Sequence, residues 1–163
     1  MDNYNRLVPL LGPGSPFPRL ELRDSRGDAV EPPNREALYV FFKTTCPTCE
    51  LLWPYLDRIR LRVGGNLEIV GVSQDGRRET ELFSRDQAAD VRTVYDPPPW
   101  RASEEVGLEN VPTMFLVGED GRIRETILGF QKAKLEELAS ARSANGGPPL
   151  FRPDEKVPEV RPG

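Results

Sequence analysis

The chain has 163 residues, 37% hydrophobic and 29% charged, a size and balance that fit one well-cored soluble domain better than two. Its formal net charge of −4 leaves no basic excess to neutralise phosphates, which argues against a nucleic-acid partner. Histidine is absent, so neither a Ser-His-Asp nor a Cys-His triad can be built, and a zinc ion bound by the two cysteines would have to complete its shell with carboxylates.

Residues 1–16 are rich in Gly and Pro and read as an irregular lead-in. They lack the charged start and the run of about 7–15 apolar residues of a secretory signal. No segment approaches the roughly 18 consecutive apolar residues of a membrane span. The expected compartment is therefore the cytoplasm. Phe17 to Leu22 alternates apolar and polar residues, Asp24 to Asp28 supplies a turn, and Ala29-Val30 resumes, which predicts a small N-terminal hairpin closed off by Pro32-Pro33.

Ala37 to Phe42 is a continuous apolar run and predicts a strand buried on both faces. It leads through Lys43, Thr44 and Thr45 into Cys46-Pro47-Thr48-Cys49, which holds both cysteines of the chain. The next segment, Thr48 to Val63, places Leu51, Leu52, Tyr55, Leu56, Ile59 and Val63 at helical spacing, with Pro54 inside it as a kink and Gly64-Gly65 as its stop. A strand that turns directly into this helix puts Cys46 at the helix N-terminus. There, free backbone N–H groups and the macrodipole favour a thiolate over a thiol. Cys49, one turn on, is within reach to close a disulfide. In a reducing compartment a lone Cys-x-x-Cys points to catalysis or metal binding rather than to a structural staple.

Further strands are predicted at Leu67–Ser73, Val91–Tyr95, Thr113–Val117 and Ile123–Leu128, the last two joined by a Glu119-to-Arg122 turn. Helices are predicted at Arg77–Ala89, Trp100–Val106 and Gln131–Ser143, with Asp96-Pro97-Pro98-Pro99 as a loop. From Asn145 onward Gly, Pro and charge dominate, and residues 145–163 read as a disordered tail outside a folded domain of residues 17–144. The element order predicts an α/β sheet of mixed strand direction flanked by helices.

Several of these features at compatible spacing resemble the thioredoxin-like superfamily, especially its TlpA-like and redoxin (AhpC–TSA-related) branches. They are the strand into Cys46-Pro47-Thr48-Cys49, Pro54 eight residues after Cys46, Val111-Pro112-Thr113 opening a strand, the Gly118-to-Ile123 turn, and Pro13-Gly14-Ser15-Pro16-Phe17 with Leu20-Glu21-Leu22. The likeness spans roughly residues 13–142 and implies a thioredoxin-like fold with an N-terminal hairpin extension. It also implies a cis Pro112 lying against the two cysteines, with Val111 and Thr113 available to pair with an extended substrate.

With the chain so placed, Cys46, the more N-terminal and exposed thiol, is the expected nucleophile, with a pKa below the free value of about 8.5, and Cys49 is the resolving thiol. Pro47 suits an early helical position because its missing N–H has no intrahelical partner there. Thr45 and Thr48 are supporting positions. The chain departs from the family pattern at Thr45, where thioredoxins carry Trp, and at Val40, where they carry a buried acid, while Glu50 does not match the acid of the TlpA-like branch. The proton acceptor for Cys49 is thus unassigned. Lys43 reads as solvated surface, and Trp53, Tyr95 and Trp100 as partly buried rather than as groove walls.

The expected function is thiol–disulfide exchange with protein substrates by a monomer that needs no cofactor and no metal and draws on an electron donor not named by the sequence. A peroxiredoxin-type peroxidase and a non-catalytic binding module are the alternatives. The peroxidase reading is weakened because no Pro stands between Ala37 and Cys46.

Overall fold

The computed structural model describes residues 8–144 and 149–163. Its centre is a five-stranded sheet in the order β3-β2-β1-β4-β5. The strands are β1 (Ala37–Phe42), β2 (Glu68–Ser73), β3 (Arg92–Tyr95), β4 (Thr113–Val117) and β5 (Ile123–Leu128). β1 pairs in parallel with β2, as β2 does with β3, while β4 runs antiparallel to both β1 and β5. Every residue of β1 and β4 is buried, which matches sequences that are apolar throughout except for Thr113 at the start of β4.

The two faces of the sheet carry two cores. Leu38, Val40 and Phe42 of β1 point to the face covered by α1 (Pro47–Val63) and α4 (Lys132–Ala141), and α2 (Arg77–Asp86) adds Phe83 there. Tyr39 and Phe41 point the other way, toward Ala102 of α3 (Arg101–Glu105), Val106 and the N-terminal segment. This is the period-2 alternation of a strand with apolar residues on both sides. Trp53 of α1 is wholly buried, its ring 4.0 Å from that of Phe42 and 5.3 Å from that of Phe83. It reaches the sheet because β2 offers Gly71 there: a Cβ at that position would lie 2.9 Å from the indole. Trp53 is therefore a core residue.

At the N-terminal side, Gly14 N–H donates to Ile123 O at 2.8 Å and Pro16 bridges Arg122, so the lead-in is laid along β5. The predicted hairpin is present only as isolated bridges: Arg23 pairs with Ala29 and also with Tyr95 of β3, and Val30 N–H donates to Leu22 O at 3.0 Å. Arg23 is shared between the returning segment and β3, and the pairing stays at isolated bridges.

The largest departure from the sequence reading is the segment assigned to a disordered tail. Residues 145–148 lie outside the described residues, but 149–163 fold back onto the protein. Leu150 and Phe151 are buried in the α1/α4 core, with the Phe151 ring 4.6 Å from that of Tyr55. Further on, β7 (Val160–Arg161) pairs antiparallel with β6 (Phe130–Gln131) as a separate two-stranded ribbon. That pairing also draws Gln131, predicted as helix, into a strand, and α4 starts one residue later.

Candidate active site

The register Phe42↔Ser73 brings the ends of β1 and β2 side by side, so the loops that follow them converge. Lys43 to Thr45 leaves β1, Gln74-Asp75 leaves β2, and Val111-Pro112 enters β4 from the opposite direction. Ligand sites gather at such carboxyl ends of parallel strands.

Cys46 is the N-cap of α1, in extended conformation (φ −94°, ψ 114°), and Pro47 takes the first helical position. Its Sγ accepts the Cys49 backbone N–H at 3.2 Å, the sulfur standing where a serine or aspartate oxygen stands in an ordinary cap. The first-turn backbone N–H groups of α1 are thus turned toward this sulfur. The Val111 carbonyl lies 3.5 Å from the same Sγ, within hydrogen-bond reach when it is protonated. The Val111–Pro112 peptide bond is cis. Cys46 is half-buried and opens onto a depression of about 490 Å³ that is also walled by Lys43, Thr45, Pro47, Gln74, Leu108 to Val111 and Gly163.

Cys49 is fully buried, and both cysteines are free thiols. Burial pushes the Cys49 thiol well above its ordinary range, and its hydrogen bond to Cys46 adds to that. Two thiols three residues apart thus meet opposite conditions: one sits at a donor-rich helix end with an opening to solvent, the other in an apolar interior.

Of the other predicted site residues, Thr45 and Pro47 lie beside Cys46 on the rim of the depression, and Pro112 is buried. Thr48 is buried, and its hydroxyl donates to the carbonyl of Pro162 at 2.8 Å, in the segment read from sequence as disordered. Val111 presents its carbonyl to the site. Thr113 does not face it: fully buried in β4, its hydroxyl donates to Asn110 O at 2.7 Å, and its backbone is paired with Phe41 and Leu128. Lys43 is exposed on the rim. Trp100, 44% exposed, donates from Nε1 to Gln74 O at 3.0 Å and so braces the loop after β2.

Asp75 went unnoticed in the sequence. One carboxylate oxygen accepts both the backbone N–H of Thr44 (2.7 Å) and its hydroxyl (2.9 Å), so Asp75 ties the loop after β2 to the loop that carries Cys46. Its charge also contributes, as the smallest of several causes, to the raised pKa of Cys49. The available signal was positional, since Asp75 lies two residues beyond the end of a buried parallel strand.

A second cavity, about 330 Å³, lies on the α3 side between the N-terminal segment and the sheet, lined by Phe17, Leu20, Tyr39, Val70 and Val117 among others. It shares no wall with the thiols. Among the described residues no group of three or more His, Cys, Asp or Glu side chains could hold a metal ion, and no helix is long and apolar enough to cross a membrane.

Comparison with known proteins agrees with this arrangement. No protein-family model matches the chain. The chain is 27% identical over 124 residues to the thiol-disulfide oxidoreductase ResA of Bacillus cereus, covering 72% of this chain and 65% of that protein's length. Among solved structures, the thioredoxin domain of a thiol-disulfide oxidoreductase from Bacteroides vulgatus is similar with a TM-score of 0.70 and 20% identity, over 82% of this chain and 99% of the other. A peroxiredoxin-like protein from Aquifex aeolicus is similar with a TM-score of 0.66 and 14% identity, over 82% and 90% of the two chains. The fold they share with this chain is the thioredoxin-like fold, and at these identities it does not by itself separate disulfide exchange from peroxide reduction.

Proposed function

On this thioredoxin-like fold, we propose that the chain is a thiol–disulfide oxidoreductase that exchanges a Cys46–Cys49 dithiol or disulfide with protein substrates. The observation that carries the reading is the contrast between the two sulfurs: Cys46 Sγ accepts a backbone N–H at a helix start and opens to solvent, while Cys49 is buried one turn behind it.

The chemistry follows from that contrast. The Cys46 thiolate attacks one sulfur of a substrate disulfide. A mixed disulfide forms, and the other substrate sulfur leaves as a thiolate that takes up a proton. While Cys46 is free, burial and the Cys46 sulfur keep Cys49 protonated. Once Cys46 is bonded to substrate it carries no charge, and its part in holding up the Cys49 pKa disappears. Cys49 then loses its proton and attacks Cys46 Sγ, expelling the second substrate thiolate. The substrate disulfide is reduced to two thiols and the Cys46–Cys49 pair is oxidised to a disulfide. The same steps reversed oxidise a substrate dithiol. In a reducing compartment the flow runs toward substrate reduction and a separate electron donor must restore the dithiol. Pro47 and Thr45 shape the rim, and Val111 offers backbone to an extended substrate.

Insulin disulfide reduction is the direct assay. Cys46→Ser abolishes it, and Cys49→Ser halts after the first step, leaving a mixed disulfide visible by non-reducing electrophoresis or intact mass. A reduction potential near about −270 mV marks a reductant and one near about −120 mV an oxidant. If Cys46 and Cys49 form no reversible disulfide, the reading fails.

A further inference from the structure

The segment after Lys156 lies against the site rather than away from it. Glu159 O accepts the Lys132 backbone N–H at 2.9 Å, Val160 and Arg161 pair with Gln131 and Phe130, and Pro162 O accepts the Thr48 hydroxyl. Gly163 then reaches the Val111–Pro112 peptide so closely that a Cβ there would overlap the Val111 carbonyl oxygen. That carbonyl is the one beside Cys46 Sγ. Gly129, at φ +68°, shows the same close backbone approach from the other side: a Cβ on it would meet Arg161 O at 2.5 Å. The β6 edge and the Thr48 hydroxyl are taken up by the chain itself, and Gly163 crowds the Val111 carbonyl that would receive an extended peptide.

The attachment is thin. Pro158 to Gly163 are exposed and only Val157 is half-buried against the core, whereas Leu150, Phe151 and the Glu155 contacts hold the preceding stretch firmly. A segment held by backbone pairing with little apolar burial opens locally at low cost while its anchor stays closed. The depression over Cys46, edged by Lys43 and Gln74 and at one rim by Gly163 itself, remains open with the segment in place.

We propose that residues 157–163 form a strap that competes for the strand-docking edge beside Cys46. An extended segment of a disulfide-bearing protein takes that edge only after the strap peels away, whereas a small disulfide reaches Cys46 through the open depression. The proposal rests on the exchange reading of Cys46 and Cys49. It makes the protein selective for partners whose own strand outcompetes the strap, with a small residue where Gly163 now sits.

The test uses the full chain carrying Val160→Pro and Arg161→Pro, which removes the pairing with β6 and touches neither cysteine. Rates are measured with insulin and with 5,5′-dithiobis(2-nitrobenzoate), a small aromatic disulfide. Releasing a strap that is closed most of the time raises the insulin rate about fivefold, in proportion to the gain in open molecules, and leaves the small-disulfide rate within about twofold. A synthetic peptide of residues 156–163, added in trans, reverses the gain on insulin. The Lys132 amide, shielded by Glu159 in the parent protein, exchanges its hydrogen faster in the variant and is shielded again by the peptide. Val157→Asp, a milder release, moves the same readings in the same direction. Equal or lower insulin turnover with normal small-disulfide turnover overturns the strap and leaves the exchange reading intact. Loss of both rates in the two variants likewise counts against it, since it makes the segment part of the catalytic frame. If the parent protein turns over neither disulfide, the exchange reading itself fails, while the amide exchange still reports whether the strap opens.

Discussion

Residues 149–155 and 157–163, separated only by Lys156, share a composition of Pro and charge, yet they are held in different ways. The first half inserts Leu150 and Phe151 into the core beside Tyr55 and Phe130. It is clamped by Glu155, which pairs with Arg58 at 2.7 Å and accepts the Tyr55 hydroxyl at 3.1 Å. The second half lies on the surface and is held mainly by backbone hydrogen bonds. Two buried side chains therefore separate an anchor from a strap. The anchor concerns stability and the strap concerns access to Cys46.

The strongest test of that division is Phe151→Ala. Truncating a buried Phe removes its transfer energy and leaves a cavity, and a loss of about 3 kcal/mol is expected in chemical denaturation. If it leaves stability untouched, the anchor is no part of the core.

A smaller effect is expected from Glu155. The Arg58 guanidinium, with help from the Arg152 backbone N–H, holds its carboxyl at about 2 instead of 4.5. A depressed carboxylate stabilises the fold above its unfolded pKa, and that contribution is lost as pH falls through the folded one. Wild type and Glu155→Gln should thus differ in melting temperature at pH 6, converge between about pH 4.5 and pH 2, and coincide below that. A gap that persists below about pH 2 would mean that the clamp works by packing and not by charge.

The mildest change is Thr48→Val, which keeps the shape and deletes the bond to Pro162 O. A single hydrogen bond of this kind contributes about 1 kcal/mol, so global stability should fall by no more than that while amide exchange in the strap quickens. A fall as large as that of Phe151→Ala would erase the distinction between the two halves.

How much was legible in the sequence follows the same physics. β1 and β4 fall at the residues predicted because a mainly apolar run leaves a central strand few alternatives, and edge strand β5 does so because the Glu119-to-Arg122 turn sets its start. Helix ends were less legible. α2 stops at Asp86 rather than Ala89 because Ala88 adopts a left-handed conformation (φ 48°), the task usually given to glycine, so the customary stop residue is missing. At the site, Cys46 and Cys49 are marked by local pattern, Val111 and Pro112 only by the family resemblance, and the fold brings the four together. Thr113, marked by the same resemblance, faces the interior. Asp75 was hidden because its part comes from the neighbouring strand, 31 residues from the Thr44 it holds.

Short-range pattern was enough to specify the central sheet, the helix that starts at Cys46 and the pairing of a forward thiol with one a turn behind it. Apolar runs, a Pro at a helix start and a three-residue spacing act through neighbours in the chain, so they can be read without the fold. What covers the site depends instead on contacts between distant segments. A stretch of Pro, Gly and charge carries no propensity for order, and residues 157–163 become ordered because Leu150 and Phe151 fasten the chain close enough for β6, Thr48 and Val111 to hold the rest.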